Sequence, residues 1–129
     1  MRNDGTRRVV RIVIFPRYTA LIGGPATYSG PLDMRPFSEG VLTGWQGTGL
    51  GTTPATVEFT VQQSADLEFW HDGTPFSPAS ANSEVTATPV VGLPWMRVKA
   101  DVAGADPGVS VYLVGDFVLR EGVGEGVPE

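Results

Sequence analysis

The chain has 129 residues, a formal net charge of -5 and no cysteine. A domain of this length buries roughly two-thirds of the surface that its unfolded chain exposes, so we expect one domain over residues 1–129. The missing cysteine excludes disulfides and cysteine-ligated zinc or iron–sulfur centres. The negative charge argues against a general nucleic-acid-binding surface, and we expect no specific nucleic-acid partner.

The first residues predict neither a membrane anchor nor a signal peptide. No apolar run approaches the ~20 residues of a membrane-spanning helix. The apolar segment Val9–Phe15 is interrupted by Arg11 and lacks a small-residue cleavage site after it. We therefore expect no membrane partner, and the missing cysteine suits assembly in a reducing cytoplasm.

Charge is distributed unevenly between the two ends of the sequence. Five arginines lie near the N-terminus and three glutamates near the C-terminus, namely Arg2, Arg7, Arg8, Arg11 and Arg17, and Glu121, Glu125 and Glu129. The pattern predicts a basic N-terminal arm over residues 1–8 and a mobile acidic tail over residues 122–129. Three interpretations of the arm stay open here: it is solvated, it docks on an acidic neighbouring subunit, or it contacts packaged nucleic acid.

Glycine and proline recur throughout the chain, so the sequence predicts strands and no long helix. Val57, Phe59 and Val61 alternate with polar residues, which is typical of a half-buried strand. In chain order the predicted strands cover residues 8–15, 40–47, 56–62, 66–71, 84–90, 96–102 and 109–121. Pro89 marks either the end of its strand or a sheet edge. We expect an all-β fold, an antiparallel β-sandwich (jelly-roll-like) of about seven or eight short strands.

The last predicted strand does not alternate. Val109, Val111 and Leu113 face one side, yet Tyr112 and Val114 on the other side are also large and apolar. Either the strand is central and its outer side is covered by loops, or that side packs on another protein. In both cases we expect Tyr112 and Val114 to be covered. Gly115 in the same strand indicates a bulge or a close backbone contact.

No residue pattern in the chain predicts catalysis. His71, the only histidine, lies beside Asp72, and we favour a strand ending in an Asp72–Gly73 turn over an acid–base pair. The glycine-rich segment 47–51 precedes a predicted strand, whereas a phosphate-binding loop needs a following helix. No carboxylates have the spacing of a calcium loop, although a structural calcium stays an open alternative. We expect no enzyme activity and no cofactor.

The three tryptophans have three possible roles. Trp45, Trp70 and Trp95 each lie in or beside a predicted strand. Such side chains fill a core, anchor a protein interface or form a platform for sugar rings. The sequence leaves these alternatives open.

Four segments together resemble one class of proteins. They are "DMR" at residues 33–35, "VEFTVQQS" at 57–64, "WMR" at 95–97 and a closing strand that ends in "LR" at 119–120. The pattern resembles small β-sandwich structural proteins of tailed bacteriophage virions, the head-decoration, cement or minor virion proteins. It covers about residues Tyr28 to Glu121.

The resemblance implies a virion protein, made in the host bacterial cytoplasm, that binds the assembled capsid and stabilises it. Its partners would be the major capsid protein or other virion subunits, and its copies would form a homo-oligomer or occupy a lattice. A tail, neck or fibre component is the alternative, and a carbohydrate-binding adhesion module that uses an exposed tryptophan is another. The candidate interface residues are Arg7, Arg8, Arg11, Trp45, Trp70, Tyr112 and Val114.

Overall fold

The computed structural model describes residues 8–49, 55–104 and 108–120. This part of the chain forms nine strands and no helix, hence none that could span a membrane. The strands are β1 (Val9–Ile22), β2 (Thr27–Tyr28), β3 (Leu32–Asp33), β4 (Phe37–Gly49), β5 (Thr56–Ser64), β6 (His71–Phe76), β7 (Ser83–Ala87), β8 (Trp95–Ala103) and β9 (Gly108–Leu119).

The strands form two antiparallel sheets. Sheet 1 has the order β1-β9-β4-β7, and sheet 2 has the order β2-β8-β5-β6 with β3 also paired to β8. The chain crosses repeatedly between the sheets, and this order is that of a jelly roll. The expected jelly-roll-like sandwich is therefore confirmed, with nine strands instead of seven or eight. Three of them have 12 to 14 residues and are not short.

The core lies between the sheets and follows the predicted alternation. In β5 the inward residues Val57 and Phe59 are fully buried while Thr56 and Glu58 are exposed. In β8 the buried residues Met96, Val98 and Ala100 repeat every second position. Such a period of two places one face of each strand against the opposite sheet.

Two local predictions are wrong. Residues 66–71 were expected to form a strand, but residues 65–69 form a bent loop and β6 begins only at His71. Asp66 causes the difference, because its carboxylate accepts the backbone N–H groups of Glu68 and Phe69 and so closes a tight turn. The expected Asp72–Gly73 turn is also absent, since both residues lie inside β6.

The central position of β9 explains its lack of alternation. It pairs with β1 on one side and with β4 on the other. Val114 on its outer face is only 3% exposed and is flanked in register by Val13 and Thr43. The expectation that Val114 is covered is confirmed, and the cover comes from this chain. At Gly115 the close contact is confirmed, because an added Cβ would overlap the Phe117 ring.

β1 continues past the predicted end at Phe15 and carries an irregular segment. Its register to β9 shifts between Phe15 and Thr19, around Pro16. Tyr18 has a φ of 68°, in the left-handed region that residues with a side chain seldom adopt. The bulge turns residues 16–18 out of the ladder and over the outer face of sheet 1.

Candidate docking surface

Apolar side chains line one half of the outer face of sheet 1. We call this the valine surface, formed by Val9 and Val13 of β1, Val41 of β4 and Val118 of β9. The first three are exposed, Val13 by 51%, and Val118 is half-buried. They lie on one face because Val9 pairs with Val118 and Val13 with Val114 in register. The valines flank the Arg11–Asp116 ion pair, which lies between them in register. Exposed apolar side chains grouped on one face are typical of a surface that contacts another protein.

An arginine surrounded by aromatic rings lies on the same face. We call it the Arg17 cluster, formed by Arg17, Tyr18, Trp45 and Tyr112. Trp45 and Tyr112 are direct cross-strand partners, and the Tyr18 ring meets the Trp45 ring edge-on at 5.9 Å. The Arg17 guanidinium lies 4.2 Å from the centre of the Tyr112 ring and 5.5 Å from that of Trp45. Each such contact is worth ~0.5–1 kcal/mol at an exposed site.

The two exposed arginines of β1 differ in their partners. Arg11 forms a two-pronged ion pair with Asp116, at 2.8 and 3.0 Å, which keeps the pKa of that carboxyl below its usual range. Arg17 has no carboxylate partner among the described residues, and only rings surround it. Its charge is therefore available to an acidic group on a partner.

The structure brings together part of the predicted interface. Trp45, Tyr112, Val114 and Arg11 share the outer face of sheet 1, and Arg8 is exposed beside the first residue of β1. Val114 supports this face from below because it is buried. Trp70 belongs to the other side of the molecule. Arg7 and nearly all of the predicted arm and tail lie outside the described residues.

A second arginine stands between two rings on the outer face of sheet 2. The Arg97 guanidinium lies 4.3 Å from the centre of the Tyr28 ring and 4.2 Å from that of Trp70. Its Nε donates to Oε1 of Gln62 at 2.7 Å, and Nε2 of Gln62 donates to Asp72 at 2.7 Å. We call this group the Arg97 cluster.

All three tryptophans lie outside the buried core, and an arginine stands over a ring of each. Arg35 lies 5.2 Å from the Trp95 ring, as Arg17 and Arg97 do for Trp45 and Trp70. The core alternative is therefore wrong for all three. A guanidinium occupies one face of each indole, which leaves at most the other face for a sugar ring.

The other candidate features are ordinary strand and loop residues. His71 is exposed at the start of β6. No group of three or more potential metal ligands is found within the described ranges. A cavity of about 330 Å³ opens between β6 and the segment after β7, lined by apolar residues such as Val61, Phe76 and Val90. Gln63, Thr74 and Thr88 contribute the polar part of its lining.

Sequence reasoning missed three members of the clusters. The sequence marks Arg17 only as one of the arginines near the N-terminus, and Arg97 only as part of the "WMR" segment. No sequence pattern predicts a strand or a role for Tyr28, because its strand has only two residues. Pro16 was the available signal for Arg17, since a proline inside a β-rich run indicates an edge or a bulge.

Comparison with known proteins shows the fold. No protein-family model matches the chain, and no curated protein matches it in sequence. The structure described as the PBSX exported protein XepA has a TM-score of 0.66 at 13% identity, over 93% of this chain and 42% of that chain. This chain thus spans less than half of the XepA chain. The likeness establishes a shared fold and no activity.

Two further structures are less similar. Eiger TNF from S. frugiperda gives a TM-score of 0.48 at 9% identity, over 95% of this chain and 98% of that chain. Infectious bursal disease virus, Gx strain, gives 0.44 at 13% identity, over 92% of this chain and 33% of that chain. Neither adds an argument about function.

Proposed function

We propose that the chain is a non-enzymatic structural protein of a tailed-phage virion, which binds the assembled capsid and stabilises it. The observation that carries the proposal is the outer face of sheet 1, where the valine surface adjoins the Arg17 cluster. The jelly-roll fold and the resemblance of residues 28–121 to phage virion proteins support it.

The composition of this face fits a protein interface. Tryptophan, tyrosine and arginine contribute most of the binding energy in protein interfaces, usually at a packed centre. Here Trp45, Tyr112 and Arg17 are already held together, so little conformational freedom is lost when a partner binds. The surrounding exposed valines exclude water from the contact.

Stabilisation of the shell follows from preferential binding. A protein that binds assembled subunits more tightly than separated ones shifts the equilibrium towards the assembled state. Copies at symmetry-related positions, or a homo-oligomer on the lattice, would multiply the effect. In this proposal the major capsid protein supplies an apolar contact surface with an acidic group opposite Arg17.

The test is reconstitution on capsids of the source phage that lack this protein. Purified chain is added, bound protein is measured by co-sedimentation, and its position is found by cryo-electron microscopy. We expect lattice-ordered density and a higher disruption temperature of the shell. Trp45→Ala and Val13→Asp should each weaken binding at least tenfold, about 1.4 kcal/mol. The matched control is Glu58→Ala, an exposed change on the opposite sheet.

The outcomes separate the alternatives. Density confined to the tail or neck of whole virions would replace the capsid proposal with the tail, neck or fibre alternative. Absence from purified virions would overturn both. Normal binding of Trp45→Ala and Val13→Asp would show that the outer face of sheet 1 is not the contact surface.

A further inference from the structure

The Arg97 guanidinium is fixed in position from three directions. The guanidinium packs against the rings of Tyr28 and Trp70, and Gln62 accepts its Nε–H. Gln62 is itself only 6% exposed and is held by Asp72. A long arginine side chain usually loses much rotamer freedom when it binds a ligand, and here that freedom is already lost.

The remaining edge of the guanidinium is open. No contact within the described ranges engages its Nη1 or Nη2 atoms. Every buried side-chain nitrogen and oxygen there has a hydrogen-bond partner, so these two Nη atoms are in contact with solvent. The end of the fork presents parallel N–H donors, the geometry that matches the two oxygens of one carboxylate.

Side-chain hydrogen bonds hold the loop over residues 65–69, which leads directly into Trp70 of the Arg97 cluster. Ser64 is fully buried, and its hydroxyl accepts the backbone N–H groups of Asp66 and Leu67. The Asp66 carboxylate accepts those of Glu68 and Phe69, which keeps the pKa of Asp66 low. The loop holds Phe69, 71% exposed, immediately before Trp70 of the Arg97 cluster. A rigid, exposed phenylalanine is an anchor for an apolar depression on another protein.

We infer that the Arg97 cluster and the Phe69 loop form a second docking site, which binds an aspartate or glutamate side chain of a partner protein next to an apolar contact. A phosphate is disfavoured because Asp72 lies one hydrogen-bonded residue away and would repel a dianion. An acidic sugar is disfavoured because the guanidinium already occupies one face of the Tyr28 ring and one of the Trp70 ring. The site does not depend on the capsid proposal.

The test uses matched soluble probes on the full chain. Acetyl-Phe-Glu-amide is titrated against isotope-labelled protein while the Arg97 Nε–H and the Trp70 indole N–H signals are followed by NMR. We expect saturable shifts of both signals. Acetyl-Phe-Gln-amide, in which the carboxylate becomes an amide, should bind at least about tenfold more weakly. Glucuronate and phenylphosphonate serve as the sugar and phosphate probes, and both should bind more weakly than the glutamate dipeptide.

Variants assign the effect to residues. Arg97→Lys keeps the charge but removes the fork, so binding of the glutamate dipeptide should weaken about tenfold. Arg17→Lys, the same change in the Arg17 cluster, should have no effect. Asp66→Ala should weaken binding while the Arg97 signal stays in place. If Arg97→Lys disturbs the fold, Gln62→Met keeps the arginine but removes the partner of both its Nε and Asp72, and the glutamate dipeptide should again bind more weakly.

The inference is overturned by any of four results. These are no saturable binding of the glutamate dipeptide, equal binding of the glutamine dipeptide, tighter binding of glucuronate or phenylphosphonate, and an equal loss in Arg17→Lys. Failure of the capsid reconstitution leaves these measurements unaffected, so the two proposals fail separately.

Discussion

Gln46 is a polar side chain in an apolar interior, and it connects the two sheets. It lies in β4 of sheet 1 and is 2% exposed. Its Nε2 donates to the Ala55 carbonyl at 2.9 Å, and its Oε1 accepts the Val57 N–H at 3.1 Å. β6 pairs with β5 only from Phe59 onward, so Gln46 satisfies backbone groups that have no strand partner there.

Replacing Gln46 by methionine should therefore destabilise the fold. The apolar volume is nearly kept, but a buried N–H and a buried C=O lose their partners, at ~1–3 kcal/mol each. We expect a loss of about 2–4 kcal/mol in the free energy of unfolding, measured by urea denaturation. Thr56→Met, an exposed change in β5, is the control and should stay within about 0.5 kcal/mol. Equal midpoints for the two variants would refute the role assigned to Gln46.

Asp33 is a surface residue with a defined pH dependence. The Arg35 side chain donates to both carboxylate oxygens, at 2.9 and 2.7 Å, and lowers the pKa of Asp33 to about 2. Because the pKa of Asp33 is lowered, the pair stabilises the fold at pH values above 3.8, the ordinary pKa of an aspartate. This contribution is lost as the pH falls from there towards 2.

Removing the guanidinium should raise that pKa only in part. In Arg35→Ala the backbone N–H of residue 35 still donates to Asp33, so we expect the pKa to rise towards 3.8 without reaching it. A carbon-13 NMR titration of the Asp33 carboxyl measures this. Arg17→Ala, on the opposite sheet, should leave it unchanged. An unshifted pKa in Arg35→Ala would mean that the ion pair does not form in solution.

At the scale of residues, the sequence predicted charges and rings but not their partners. Trp45 and Tyr112 were expected at an interface, yet nothing in their spacing shows that they pair across β4 and β9. No sequence pattern marks Gln46 as a link between the two sheets. Such contacts join residues far apart in sequence, and only the strand register brings them together.

At the scale of elements, the pairing of β4 with β9 depends on a close approach to Phe117. The Phe117 ring is fully buried between Gly40 of β4 and Gly115 of its own strand. A Cβ on Gly115 would lie 2.6 Å from Phe117 Cζ and 3.0 Å from Leu42 Cδ2. The ring occupies the space that a side chain would need.

Gly115→Ala should therefore cost about 1–3 kcal/mol of stability through overpacking. In the background of Phe117→Leu the same change should cost less, which a double-mutant cycle measures by denaturation. Gly30→Ala is the control, because an added Cβ there meets nothing within 4 Å. It should be neutral or slightly stabilising. A cost that is independent of residue 117 would exclude ring contact as the cause.

Strands with strict alternation were predicted well, and those shaped by side-chain hydrogen bonds were not. The inward residues of β5 and β8 are buried at every second position, as alternation predicts. The segment 66–71 alternates as a strand would, but the Ser64 and Asp66 side chains compete for its backbone N–H groups. β1 extends past Pro16 because a proline is tolerated at an edge strand with a bulge.

At the scale of the whole molecule, the sandwich was predictable and its two docking faces were not. Turn spacing and alternation indicate two layers around one core. Which arginine reaches which ring depends on the crossing of the chain between sheets. The Arg17 and Arg97 clusters lie on opposite outer faces, so the two proposed docking sites would not compete for the same surface.

The two sheets should unfold as one unit because Phe59 joins them. Phe59 of sheet 2 is fully buried, its ring centre lies 6.3 Å from that of Phe15 in β1, and an added Cβ on Gly44 of β4 would lie 3.1 Å from its ring. Variants that keep a single tryptophan report on each sheet by fluorescence. Trp45 reports on sheet 1, and Trp95 reports on sheet 2. We expect the same urea midpoint from both. Phe59→Ala should lower both midpoints equally and reduce the free energy of unfolding by about 3–5 kcal/mol. Phe59→Leu is the milder variant. Separate midpoints would show that each sheet is stable without the other.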